Sequence, residues 1–446
     1  MHRTEMNTPI CDFAAAYAKK NPLRLHMPGH KGAEPLDITE IEGADVLYSA
    51  KGIIAESEEN ARMLFDSGKT LYSAEGSSLS VRAMLYLASL WGQAEGRDRC
   101  VLAGRNAHKV FHSAAALLDL EVKWLYGDSD SLISCNITPE RLEKALTECE
   151  KKPFAVYLTS PDYLGNTLDI RELSAVCERY DILCLVDNAH GAYLRFLFPS
   201  QHPINLGAHM CADSAHKTLP ALTGAAYLHI SKTAPKMLSI QAENAMSLFA
   251  STSPSYLILQ SLDRLNKYLS DGYTEKLSTF IQVTDVLKSN LKNMGYELIG
   301  NEPLKLTLST KPYGYLGTEI ADILKDVQII CEHADKDTVV LMLTPELSAE
   351  DIERLEKALR DIPKRTPIGE TPPALSEAER VISIREATLC IKEKISAKAS
   401  LGKILADSAV SCPPAVPIAV CGERIGTAAV ELFKYYGIEE IWVVSK

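Results

Sequence analysis

The sequence predicts an α/β chain with a mostly parallel sheet in a large domain, a smaller α/β domain and a C-terminal module. Three observations carry this. Between about residues 100 and 230, short apolar runs alternate with segments of helical period, as in a sheet covered by helices. From about residue 275, a long helical stretch leads into further strand-like runs and an amphipathic helix. Finally, Pro363, Pro367, Pro372 and Pro373 crowd the segment PKRTPIGETPPALS and set off the C-terminal residues as a module. In chain order, Ala14, Ala15 and Ala16 read as part of a short helix. SSLSVRAMLYLASLWG, starting just after Gly76, puts Val81, Met84, Leu85, Ala88 and Trp91 on one helical face. RCVLAG, PFAVYLT, DILCLVD and AAYLHI are the strand candidates, each too short for a helix. PLKLTLST and TVVLMLTP are strands of the smaller domain. In SAEDIERLEKAL, Ser348 and Asp351 have capping-box spacing before Ile352, Leu355 and Leu359. The expected organisation is an N-terminal arm over 1–60, a large domain over 61–275, a small α/β domain over 276–365 and a C-terminal domain over 366–446.

A chain of 446 residues is long enough for two or three domains. Hydrophobic residues at 46% and charged residues at 24% are ordinary for a globular protein, and no apolar run is long enough to span a bilayer. The N-terminus lacks the apolar core and cleavage site of a secretory signal, so a cytoplasmic location is expected. Eleven cysteines, an odd number without CxxC pairs, argue against a disulfide framework and a tetrathiolate zinc site; no metal is expected. A formal charge of −11 opposes nonspecific nucleic-acid binding and suits a cationic small molecule.

Four segments fall in the order that a phosphate-bearing aldehyde cofactor requires. AEGSSLS sets Gly76, Ser77 and Ser78 at a helix start, where free N–H groups and the dipole favour a phosphate; a plain helix cap is the alternative for the serines. GRNAHKVFHSAA puts His108 after a strand, in position to stack on a ring; a surface histidine in a loop is the alternative. DILCLVDNAHGAY places Asp187 at the carboxyl end of a buried strand, where open α/β sheets bind ligands. A carboxylate there suits a protonated pyridine nitrogen and the electron-accepting ring that goes with it; a carboxylate capping the next loop is the alternative. CADSAHKTLPALTG adds Ser214, His216 and Lys217; an exposed lysine before a helix is usually only solvated, but one flanked by Ser214 and His216 near a phosphate can be desolvated into a nucleophilic amine.

These residues resemble the ornithine/lysine/arginine decarboxylase family, pyridoxal-phosphate enzymes with the aspartate-aminotransferase fold, over nearly the whole chain. LRLHMPGHKG resembles that family's N-terminal signature, GSSLS its phosphate loop, RNAHK its ring-stacking histidine, DNAHGAY its pyridinium aspartate and SAHKTLPALTG its Schiff-base lysine. CPPAVPIAVCGERI resembles a proline-rich segment of its C-terminal domain. The resemblance implies pyridoxal 5'-phosphate on Lys217, with His108 stacked on the ring, Asp187 at its nitrogen, Ala189 against it and His190 near its phenolic oxygen. Gly76, Ser77, Ser78, Ser214 and His216 would hold the phosphate. It further implies decarboxylation of arginine, lysine or ornithine to the amine, as in polyamine biosynthesis, by a homodimer or higher homo-oligomer. Glu423, near the active-site entrance in that family, would meet the distal cation of the substrate or else pair with Arg424 or another surface cation. Asn188 stands where an acidic residue is common, Asp162 where threonine is common, and Cys412, Ala415 and Cys421 where tyrosine, glycine and proline are usual. The rival readings are an aminotransferase on the same fold and a catalytically idle relative kept for binding or regulation. The strands of the small domain hold no arginine for a substrate carboxylate, and Arg354 and Arg360 fall on a charged helix read as a solvated face.

Overall fold

The computed structural model describes residues 6–127, 132, 134–411 and 416–445; Cys412 and Ala415 lie outside the described residues. The chain forms two compact units, each assembled from separated stretches: residues 1–98, 153–158 and 170–277 make the first, and residues 99–152, 159–169 and 278–446 the second.

In the first unit, five strands lie side by side in the order Lys69–Ser73, Ala226–Ile230, Met210–Asp213, Leu183–Asp187 and Ala155–Thr159. Leu183–Asp187 and Met210–Asp213 pair in parallel, with Asp187 opposite Ala212, and both are buried throughout. Burial on both faces explains why these strands read as continuous apolar runs rather than alternating ones. AAYLHI, expected in the parallel sheet, is antiparallel to both of its neighbours, Met210–Asp213 and Lys69–Ser73. Lys69–Ser73 carries little strand signal because KTLYS is short and half polar. The helix Ser77–Ala94 begins where expected and buries Val81, Met84, Leu85, Ala88 and Trp91. Near the N-terminus, Pro9–Lys19 is helical and contains Ala14 to Ala16, and the Arg24 guanidinium donates to the carbonyls of Pro35 and Asp37.

The second unit holds the parallel pair Cys100–Gly104 and Glu121–Leu125, joined through the helix Lys109–Leu118. It also holds an antiparallel four-stranded sheet in the order His333–Ala334, Thr338–Met342, Lys305–Ser309 and Glu297–Ile299. The capping box of Ser348 and Asp351 starts the helix Ala349–Arg360, which buries Ile352, Leu355 and Leu359. The C-terminal residues pair as Lys392–Ser396 with Glu440–Val444 and Ala409–Ser411 with Pro417–Val420, around a core that includes Leu405, Ile418, Phe433 and Val443. The proline-rich segment 363–376 forms no regular element but is bonded down: Arg365 and Ile368 donate backbone N–H groups to Tyr313 and Lys311, and the Tyr315 hydroxyl donates to the Pro363 carbonyl. Proline removes donors and excludes helix, yet leaves carbonyls free to accept. Among the described residues no helix is long and apolar enough to cross a membrane.

Candidate active site

Within the first unit, the ends of neighbouring strands gather most of the residues singled out from sequence. Gly76 is the N-cap of the 18-residue helix Ser77–Ala94, with φ +70°, a conformation that side chains bearing a Cβ rarely adopt. No side chain caps this helix, so its first-turn N–H groups are left for another partner. Ser77 does not act as the cap; its hydroxyl accepts from the Ser214 hydroxyl at 2.8 Å. The segment is held by Gly76 N–H donating to the Gly224 carbonyl at 2.8 Å and by the Ser73 hydroxyl on the Gly76 carbonyl. Gly76, Ser77 and Ser78 thus lie at an uncapped helix start, with Ser214 bonded to Ser77, a set of donors of the kind a phosphate group accepts from.

Asp187 ends its strand 4% exposed. One carboxylate oxygen accepts from the Tyr157 hydroxyl at 3.0 Å and the other from the Ala189 N–H at 3.2 Å. Burial, reinforced by the Asp187 charge, pushes the Tyr157 phenol well above its ordinary range, so it stays a donor. Two donors keep the carboxylate aligned, which suits it to face a cationic ring nitrogen. Tyr157 lies mid-strand in PFAVYLT, and the sequence carries no signal that marks it. His190 follows three residues after Asp187, and its Nε2 lies 3.1 Å from Lys217 Nζ. His216 Nδ1 lies 2.9 Å from the Ala225 carbonyl. Lys217 sits in the single helical turn Ala215–Thr218, half-buried, with its amine directed to His190. A phosphate cradle, a buried carboxylate and a lysine amine within one unit are the donor set that pyridoxal 5'-phosphate requires, and the residues present fit it.

Behind this group lies a network that the sequence does not announce. Asp213, fully buried, accepts from Asn188 Nδ2 at 2.7 Å on one oxygen and contacts His202 Nε2 at 2.9 Å and His229 Nε2 at 3.4 Å with the other. Burial alone would raise the Asp213 carboxyl, but His202 and His229 hold it well below the usual carboxylate range. The donor atoms of His202, Cys211 and Asp213 lie within 4.8 Å of one another. Burial, then the Asp213 charge, keeps the Cys211 thiol protonated, and both Asp213 oxygens already accept hydrogen bonds. Only the motif CADSAHK hints at Asp213; His202 lies in a loop that periodicity does not reach.

The second unit contains His108 and Glu423. His108 is exposed and N-caps the helix Lys109–Leu118, its Nδ1 accepting from the Val110 N–H at 3.3 Å. Three residues before it, Arg105 is 1% exposed and donates to both oxygens of Glu423 at 2.5 and 2.8 Å. Glu423, 2% exposed, also accepts from the Val420 N–H. Its partner is thus a buried arginine rather than Arg424, which turns to Glu379 at 2.8 Å. Nothing in the spacing of CGERI and GRNAHK, 318 residues apart, reveals that pair. Asp162 is buried and closes its own loop, accepting from the N–H groups of Leu164 and Asn166 and from Asn166 Nδ2. Cys421 is buried, and its thiol is pushed up to about 11 by that burial.

The architecture matches that of solved lysine decarboxylases. Aligned with the lysine decarboxylase LdcF of Francisella novicida, the chain gives a TM-score of 0.81 at 15% identity, covering 99% of this chain and 82% of the other. The fold class is therefore the aspartate-aminotransferase-like α/β fold with a mostly parallel sheet. Residues 33–297 match the family described as Orn/Lys/Arg decarboxylase, major domain, and the chain belongs to this family of amino-acid decarboxylases. Over about nine-tenths of both lengths it is similar to an arginine decarboxylase of Halalkalibacterium halodurans, at 28% identity with 95% of this chain and 92% of that protein covered. The uncharacterized protein YaaO of Bacillus subtilis is also 28% identical, with 96% and 93% covered.

Proposed function

We propose that this chain removes the α-carboxylate of a basic amino acid, using pyridoxal 5'-phosphate tethered to Lys217. The observation that carries the reading is the grouping in one unit of the Lys217 amine, 3.1 Å from His190 Nε2, the doubly hydrogen-bonded Asp187 and the uncapped helix start beside the Ser77–Ser214 pair. Gly76, Ser77, Ser78, Ser214 and His216 would hold the phosphate, His216 with its backbone fixed at Ala225. Asp187 would bind the ring nitrogen, Ala189 would pack on the ring and His190 would lie by the phenolic oxygen. His108 is assigned to ring stacking on the RNAHK motif alone. When bound, the cofactor supplies an electron-accepting ring that takes up the pair left behind as carbon dioxide departs. Asp187 keeps a positive charge opposite its carboxylate and so favours that uptake. Lys217 would tether the cofactor, and its Nζ, 3.1 Å from His190 Nε2, would be placed to hold a proton for the substrate carbon.

Arginine is the first substrate to test, because the relative from Halalkalibacterium carries that name; lysine and ornithine are next, and polyamine formation is the pathway class such products serve. Glu423 is assigned to hold Arg105 within its own unit rather than to touch substrate. Transamination is disfavoured: Arg354 donates to the Val327 carbonyl and Arg360 pairs with Glu356, so neither is set aside for a substrate carboxylate. Borohydride reduction of the holoenzyme followed by peptide mapping is expected to find the adduct on Lys217. An adduct on another lysine, or no cofactor uptake by folded protein, would overturn the assignment.

A further inference from the structure

We propose that Asp213 is a positioning residue for this site: through Asn188 it locks the turn after Asp187 to the strand that leads into Ser214 and Lys217. The inference rests on the roles proposed for Asp187 and Lys217.

Residue 188 is bonded to the strand Met210–Asp213 twice, its N–H to the Ala212 carbonyl at 3.0 Å and its side-chain amide to Asp213 at 2.7 Å. The next residue on one chain segment is Ala189, whose N–H orients the Asp187 carboxylate, and then His190, which meets Lys217. The next on the other is Ser214, which meets Ser77. One buried carboxylate therefore fixes the relative placement of two strand ends that bring six of the candidate site residues together, Asp187, Ala189, His190, Lys217, Ser214 and Ser77. It is itself held from behind by His202 and His229, and His229 Nδ1 is 2.8 Å from the Thr70 hydroxyl, which in turn meets Ser67. The Phe65 ring packs on both histidines, at 5.4 and 4.4 Å between centroids, and closes the network off from water. The network is enclosed, and although Asn188 Oδ1, His202 Nδ1 and His229 Nε2 find no hydrogen-bond partner in it, the bonds that run through Asp213 fix the two chain segments relative to each other.

The pairing also accounts for an amide rather than an acid at position 188. A carboxylate there would bring a second negative oxygen to 2.7 Å from Asp213 Oδ1, whereas the amide donates to it. The acid ends the strand Met210–Asp213 and the amide follows the strand Leu183–Asp187.

The test compares the holoenzyme with Asp213→Asn, Asn188→Asp, Asn188→Ala and the exchange Asn188→Asp/Asp213→Asn. Three quantities are measured: the cofactor dissociation constant, the visible circular dichroism of the bound cofactor, and kcat and KM per bound cofactor. Asp213→Asn is expected to change the dichroism and lower kcat roughly tenfold or more with KM little altered, because transition-state alignment is lost and not substrate binding. Asn188→Asp is expected to behave likewise, and the exchange to recover part of both signals. Should Asp213→Asn not fold, Asn188→Ala, which leaves Asp213 with its two histidines, is expected to give the same spectral change at smaller size. A purely structural role would lower the melting temperature yet leave the dichroism and kcat of folded, loaded protein at wild-type values, and that result overturns the proposal. A change confined to KM overturns it too. If the wild type itself forms no adduct on Lys217, the underlying reading of the site has failed, an outcome separate from wild-type adduct with an inert Asp213→Asn.

Discussion

At the scale of single residues, the candidate site is built from polar groups that are buried and yet supplied with partners. Asp187 is held by two neutral donors, the Tyr157 hydroxyl and the Ala189 N–H, an arrangement suited to a ligand cation. Removing one member of a buried charge pair costs about 3–5 kcal/mol, which is roughly a hundredfold or more in a rate or binding constant. Asp187→Ala is therefore expected to remain folded by far-ultraviolet circular dichroism while losing most of its activity or its cofactor; activity within a few-fold of wild type would remove Asp187 from the ring nitrogen. Lys217, Asp187, Ser77 and Ser214 are legible in the sequence because each belongs to a short contiguous motif after a buried strand. Tyr157, His202 and Asp213 are not. Their partners lie 30 residues away for Tyr157 and 11 and 25 for Asp213, and an apolar run buried on both faces does not reveal which way a polar member points.

At the scale of elements, the helix Ser77–Ala94 and the strands of the sheet arise from periodicity, turn residues and caps, all local signals. The pairing of strands is not local. The antiparallel placement of Ala226–Ile230 and the position of Lys69–Ser73 beside it depend on contacts across more than 150 residues, as in Tyr72 opposite Tyr227. The same holds for Arg105 and Glu423. Spacing offers Arg424 as a neighbour, whereas the fold buries Glu423 against a guanidinium that reaches both its oxygens, with Trp124 and Tyr126 rings each 5.4 Å from it. Two parallel N–H contacts make Arg, not Lys, the fitting partner. Glu423→Gln is expected to lower the stability of the protein by about 3 kcal/mol, because a buried guanidinium loses its counter-charge. The midpoint of urea unfolding measures this. An unchanged midpoint with a raised KM for basic amino acids would return Glu423 to the substrate.

At the scale of the whole molecule, the formal charge of −11 and the family membership agree with a small cationic substrate. The segment LRLHMPGHKG exposes Leu23 at 85%, Leu25 at 84% and Met27 at 63%, an alternating apolar row left uncovered in the single chain. A homodimer that covers this row is the expected state. Light scattering should report twice the chain mass, and Leu23→Ser with Leu25→Ser should shift it toward the monomer; a wild-type monomer with full activity would contradict this. The most direct test of the proposed activity is amine formation. The purified holoenzyme is supplied with arginine, lysine or ornithine, with Lys217→Ala as control, and the products are identified by mass spectrometry. The amine is expected from at least one of the three, shorter than its parent by one carbon dioxide, and none from the control. Turnover confined to neutral or acidic amino acids, or product from all three that survives Lys217→Ala undiminished, would contradict it.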